Sequence, residues 1–381
     1  MSTVTAASFR PRGGLNSSEA LPVLPDQITA EWCSAALGRP VRSVSIVNEL
    51  HGTASKILVE LTYENGDAAT DGNTVRSPPR HLCVKGGFNP QLLALYPGLN
   101  ATYRREAEFY YHIAPAAPSM RLPTAWYCGS DIVSGQGVVL MDDLQDAHCT
   151  FGTPLSPWPP ARAHAAVSQL AALHASTWGA PSATFPWLGD DSAARSNPLH
   201  DMVRALLAPA AWDPLFGGAD RPPAVPEHMA DRERALAAFE TLWRTTDPRF
   251  RCVVHGDAHI GNTFISAAGE PGFIDWQALH AGSAFHDLAY FISGVLTPED
   301  RRAHENALLD TYFEELAQLG GPRFHREEVW DEYRKTLWYG FAWSLTAPGM
   351  QPRENVFAMV ERHIAAIVDH GSLELLESLP K

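Results

Sequence analysis

The sequence predicts an α+β fold in two parts, a small β-rich front and a larger, mostly helical back. Three observations predict it. RSVSIVNEL (42–50), KILVELTYE (56–64) and RHLCVKGGF (80–88) are early runs of strand character, separated by turn-forming segments. Helical spacing dominates after the Pro-rich connector TFGTPLSPWPPAR (150–162). A chain of 381 residues that is 45% hydrophobic can bury a large core and divide into two.

Read in order, residues 1–22 are rich in Ser, Ala, Gly and Pro, the composition of a disordered tail. PDQITAEWCSAAL (25–37) spaces Ile28, Trp32, Ala35 and Ala36 as a helix would. The first two strands flank the turn HGTAS, and NGDAATDGNTVRSPPR (65–80) is a polar insertion before the third. TYRREAEFYYHIA (102–114) predicts a helix whose apolar stripe is Tyr103, Ala107, Tyr110 and Tyr111, with Glu106 and Glu108 flanking it. GVVLMDDL (137–144) is an apolar strand that turns abruptly acidic. Helices are expected at 163–179, 198–207, 225–244 and 327–345. The divisions that follow are 1–22, 23–144 and 145–381.

Composition narrows the function. With 29 basic against 43 acidic residues the net charge is −14, which disfavours a nucleic-acid surface. The five cysteines, Cys33, Cys83, Cys128, Cys149 and Cys252, are scattered without a CxxC pair and read as reduced thiols. No apolar stretch approaches the roughly 18 residues of a membrane span, and no apolar core marks an export signal. A soluble, cytoplasmic protein without membrane partners is expected.

The most informative stretch is HGDAHIGNTFI (255–265), followed by FIDWQ (273–277). It sets Asp257, Asn262 and Asp275 at fixed offsets on short turns between apolar runs. Val253 and Val254 lead in as a buried strand would, and NTFIS with PGFIDW forms a hairpin signature. Phosphoryl transfer needs a carboxylate to orient and deprotonate the acceptor hydroxyl, and hard oxygen ligands for Mg²⁺ on the nucleotide phosphates. The pattern H-R-D-x-x-x-x-N with a later Asp meets those needs, and here Gly256 replaces the Arg. A hydrolase metal centre drawn from His255, Asp257, His259, Asp275, His286 and Asp287 is the rival reading.

These residues resemble the Brenner-type motif of the aminoglycoside phosphotransferase and choline-kinase-like superfamily, most nearly its ecdysteroid-kinase-like branch. The strong match covers roughly residues 250–292, and weaker ones reach back to about 46. The resemblance implies a bilobal protein-kinase-like fold, a small-molecule kinase activity, and the use of ATP and Mg²⁺. It makes Asp257 the catalytic base and Asn262 and Asp275 the metal ligands. Gly52 and Ser55 of HGTASK would cover the phosphates, with Lys85 on the α- and β-phosphates. An R-E-x-x-x-Y pattern selects Glu106 over Glu108 as its partner. Met141 would neighbour the adenine, which the carbonyl of Asp142 and the N–H of Leu144 would bind. Asp287, at a helix start, would hydrogen-bond the catalytic-loop backbone, whereas His174 reads as structural.

FIDWQ stands where protein kinases have D-F-G, and no A-P-E segment follows, so a small alcohol is favoured over a peptide. Trp330, Tyr333, Trp338, Tyr339, Phe341 and Trp343 are core candidates that could also stack on a flat apolar acceptor or cage a quaternary ammonium. Glu327, Glu328, Asp331 and Glu332 read as a solvated helix face. An apolar or aromatic hydroxylated metabolite is the expected acceptor. An aminoglycoside or choline-type acceptor, a metal-dependent hydrolase and an inactive nucleotide-binding module are the alternatives.

Overall fold

The structure, a computed structural model, describes residues 20–64, 79–95, 99–131, 133–179, 181–190, 197–218, 221–347 and 349–380. Most of the expected tail and of the polar insertion therefore lie outside the described residues. Leu21, within the range assigned to the tail, is buried, and the Pro22 carbonyl accepts the Gln136 side-chain amide at 2.7 Å.

Two compact units form. The first takes the described residues up to Thr150 together with Ser266–Gly269 and Asp275–Gln277. Its frame is a five-stranded antiparallel sheet, β1 (Val41–Leu50), β2 (Ser55–Tyr63), β3 (His81–Gly86), β4 (Ala125–Ser130) and β5 (Gly137–Asp142), in the order β1-β2-β3-β5-β4. The period-two alternation of a strand puts Ile57, Val59 and Leu61 on one buried face. Leu82 and Val84 of β3 and Val138 and Leu140 of β5 continue that core. β4 is absent from the sequence-based expectation: it reads AWYCGS, and its Cys-Gly-Ser half dilutes the strand signal.

The first helix begins at Ala30, inside the run 25–37, because Thr29 caps it by accepting the Trp32 N–H. A separate 3₁₀ turn holds Pro25–Gln27. The helix expected over 102–114 spans Leu99–Glu108 and then loosens into a π-helical turn at Phe109–Ile113. That turn rotates Phe109 into the core, stacked 3.9 Å from Trp276, and leaves Tyr111 at the margin.

The second unit takes Phe151–Ile265, Glu270–Ile274 and Ala278–Lys381 and is mainly helical. Its long helices run Pro160–Thr177, Arg232–Arg244, Ala284–Val295, Pro298–Gln318, Arg326–Thr336 and Arg353–His370. The span 225–244 holds a 3₁₀ turn at Glu227–Met229 and becomes α-helical from Arg232, where Asp231 caps the N-terminus. The span 327–345 changes at Leu337 into a 3₁₀ helix that continues to Leu345. An additional helix, Pro209–Phe216, forms around the internal Pro214. Tyr333, Trp338 and Phe341 are fully buried, so most of the late aromatic cluster is core. Glu332 departs from the solvated face assigned to it, since it is buried on Lys335 at 2.6 Å. All five cysteines are free and buried. Among the described residues no helix is long and apolar enough to cross a membrane.

Candidate active site

The strand Arg251–Val254 pairs antiparallel with His280–Ser283 and delivers His255, Gly256 and Asp257 at its end. Gly256 sits at φ +80°, and a Cβ there would lie 2.3 Å from the Ala278 carbonyl oxygen and 2.8 Å from His280 Nδ1. Steric crowding and left-handed backbone thus account for glycine where protein kinases carry Arg. The His255 ring donates through Nε2 to the Ile274 carbonyl at 3.0 Å. Its Nδ1 accepts the Asp257 N–H at 3.3 Å, which fixes the tautomer of a fully buried imidazole.

Asp287 holds this loop from below. One carboxylate oxygen accepts the His255 N–H at 2.6 Å, and the other accepts the Gly256 N–H at 2.9 Å. The His174 Nε2 lies 3.1 Å from Asp287, while its Nδ1 meets the Tyr312 hydroxyl at 2.8 Å. Burial opposes ionisation of Asp287, but the His174 hydrogen bond and the nearby imidazoles pull its carboxyl down to about 2. Asp287 lies in the first turn of the helix Ala284–Val295, which Ser283 caps. Its carboxylate is engaged by the loop.

Asp257 keeps a partly exposed side chain. Asn262 donates through its side-chain amide to both the Asp257 carbonyl and Oδ2, each at 3.0 Å. The Tyr290 hydroxyl reaches Asp257 Oδ1 at 3.4 Å, and His259 Nε2 lies 3.6 Å from Oδ2. Tyr290 is a site residue that sequence reasoning misses. The available signal is its place three residues after Asp287, on the same face of the helix. The expected hairpin forms at 263–273, with Thr263 opposite Phe273. The Ile274 N–H then bonds the Asn262 carbonyl at 3.0 Å, one residue before Asp275.

In the first unit Lys85 ends its run on β3, buried, with Nζ 2.7 Å from Glu106 and 3.1 Å from Asp275. Burial works against its charge, yet the Asp275 and Glu106 carboxylates outweigh it and raise the ammonium above its ordinary range. Glu108, the other candidate partner, faces His112 at 3.4 Å. Asp275 adopts φ +69°, a left-handed conformation that few non-glycine residues take.

Gly52 lies in the β1–β2 turn, but its backbone does not demand glycine, since a Cβ would meet only the Ala54 carbonyl at an ordinary 3.4 Å. Ser55 is buried opposite Gly86, its hydroxyl 3.3 Å from His51 Nδ1. Met141 and Asp142 end β5, opposite Cys83 and Leu82. The Asp142 carboxylate accepts the Trp126 indole N–H at 2.8 Å. Leu144 follows, its carbonyl bonded to the Cys149 N–H at 2.9 Å.

Among the described residues no group of three or more His, Cys, Asp or Glu is placed to hold a metal ion. Asp287 and His255 are committed to the loop, and His286 stacks on Tyr339 at 3.6 Å. The second unit thus carries a pinned loop with a partly exposed carboxylate, and the first a buried lysine salt-bridged to a helix glutamate, the features expected of a kinase-like phosphotransferase.

The comparisons with known proteins agree. Residues 86–328 match the model of the phosphotransferase enzyme family, and the chain belongs to that family. It is a small-molecule kinase, a phosphotransferase acting on hydroxyl groups. Among solved structures it is similar to a spectinomycin phosphotransferase in complex with ADP and spectinomycin, at 13% identity and a TM-score of 0.50, covering 93% of this chain and 100% of that one. It is similar also to the choline kinase of Streptococcus pneumoniae, at 12% identity and a TM-score of 0.49, covering 90% and 99%. Compared by sequence with curated proteins, it matches none. The family match does not single out the ecdysteroid-kinase-like branch.

Proposed function

We propose that the chain transfers the γ-phosphoryl group of ATP to a hydroxyl of a small, apolar or aromatic metabolite. The observation that carries this reading is the Asp257 carboxylate, partly exposed, clamped by the Asn262 amide and set on a loop tied down by Asp287. Asp257 orients the acceptor hydroxyl and takes its proton as the oxygen attacks phosphorus in line. Lys85 neutralises the α- and β-phosphates. The ADP held by the spectinomycin phosphotransferase supports a nucleotide ligand. Gly52 and Ser55 would cover the phosphates, and the backbone at Asp142 and Leu144, beside Met141, would receive the adenine.

Asp275 and Asn262 fit Mg²⁺ by chemistry, since a carboxylate and an amide oxygen are hard donors of the kind it prefers. Because Asn262 spends its NH₂ on Asp257, its Oδ1 is the atom with ligand character. Bound there, Mg²⁺ would offset charge on the phosphate oxygens. The cost of holding Asp275 in left-handed backbone supports a functional task for it.

The test is ADP release with magnesium and a panel of alcohols, with mass spectrometry of the products. Phosphate monoesters are expected. Asp275→Ala should abolish magnesium-dependent nucleotide binding measured by calorimetry, and unchanged binding would contradict its role.

A further inference from the structure

A cavity of about 460 Å³ lies in the second unit, lined by Leu215, Thr346, Met350, Arg353, Val356 and Phe357 among others. Its size falls in the range of about 300–1,000 Å³ typical of small-molecule sites. We propose that it seats the acceptor, and that the acceptor is a neutral or acidic alcohol with an apolar body. This rests on the kinase reading above and deepens it.

A short chain of contacts connects the cavity lining with the proposed base. His259 lies 3.6 Å from Asp257 and meets the Trp343 ring edge-on, centroids 5.1 Å apart. The Trp343 carbonyl accepts the Thr346 N–H at 3.2 Å, and Thr346 is part of the cavity wall. These contacts link the Asp257 loop to the cavity lining within the second unit.

The lining decides the substrate class. Leu215 and Val356 are buried, and Met350 is 55% exposed, an adaptable thioether at the rim. Among the described residues that line the cavity there is no carboxylate, and Arg353 supplies the charge. A polycationic acceptor would arrive without counter-charges and beside a guanidinium, an unfavourable pairing. A quaternary ammonium fares no better. Phe357 is the aromatic ring of the lining, and the Arg353 Cζ already sits 4.8 Å from its centroid. An apolar body covers this surface without that conflict, while Thr346, Gln351 and Arg353 provide polar contacts.

The test uses the full chain with MgATP and four probes: a steroid alcohol, an aromatic primary alcohol, kanamycin and choline. Turnover of a steroid or aromatic alcohol is expected. Met350→Glu, at an exposed position that tolerates charge, should raise the KM for that alcohol about tenfold or more, and Phe357→Ala should do the same. The KM for ATP should stay within twofold in both. A wild-type enzyme that binds MgATP but turns over only kanamycin or choline, or none of the four, overturns the acceptor assignment. So do variants whose alcohol KM does not move. Failure of the wild-type protein to bind MgATP at all would instead strike the kinase reading itself.

Discussion

Asp287 grips two consecutive backbone N–H groups, those of His255 and Gly256, at 2.6 and 2.9 Å. In the proposed mechanism it positions the base, Asp257, without touching it. Its carboxyl, held down to about 2 against an ordinary 3.8, makes the arrangement pH-dependent. A depressed folded pKa contributes stability in full above the unfolded value. That stability is lost as pH falls from about 4 through about 2. The span corresponds to about 2 kcal/mol at neutral pH. Urea unfolding of wild type and Asp287→Asn at pH values from 6 to 3 should show a gap that narrows below about pH 4. A gap independent of pH would refute the assignment.

Asp257→Asn preserves shape and removes the base. Turnover should fall by roughly 10²–10⁴-fold while nucleotide affinity stays near wild type. Single-turnover kinetics with calorimetry of MgADP binding separates the two effects.

Tyr290 donates to the Asp257 carboxylate at 3.4 Å and helps to orient it. Tyr290→Phe should lower kcat several-fold while MgADP affinity stays near wild type, measured by steady-state kinetics and calorimetry. Unchanged kcat would show that the hydroxyl does not position Asp257.

Lys85 is buried between two carboxylates, and its removal strands them. Lys85→Met should cost about 3–5 kcal/mol in denaturant unfolding, as for other buried ion pairs broken on one side. Lys85→Met/Glu106→Leu should recover part of that loss and remain inactive. Equal stability of the single and double variants would show that Glu106 does not depend on Lys85.

Gly256→Ala should damage the loop although every reactive side chain is intact. The added Cβ meets the Ala278 backbone at 2.3 Å, and φ +80° disfavours any side chain. Thermal unfolding should drop by several degrees, and kcat should fall with it.

The catalytic loop, the first three strands and the lysine were legible because strict spacing and period-two alternation survive in one dimension. Asn262 and the hairpin after it also follow from local turn chemistry. Three features did not. The π-turn at Phe109 depends on packing against Trp276, far along the chain. The clamp of Asp287 by His174 and Tyr312 joins three separated helices. The late aromatic run offered rings without saying which face the core, and burial of Trp338 and Tyr333 is a tertiary fact.

Asp275 carries a cost of about 1–2 kcal/mol for its left-handed backbone. Glycine at that position would relax the chain, and asparagine would tolerate the conformation while discarding the charge. Asp275→Gly would release that strain and, in the same step, break the 3.1 Å ion pair to the buried Lys85, so a library screened only for survival of heating should not enrich it. The bent backbone is kept in place by the ammonium it faces, and relaxation there comes only with loss of the pairing.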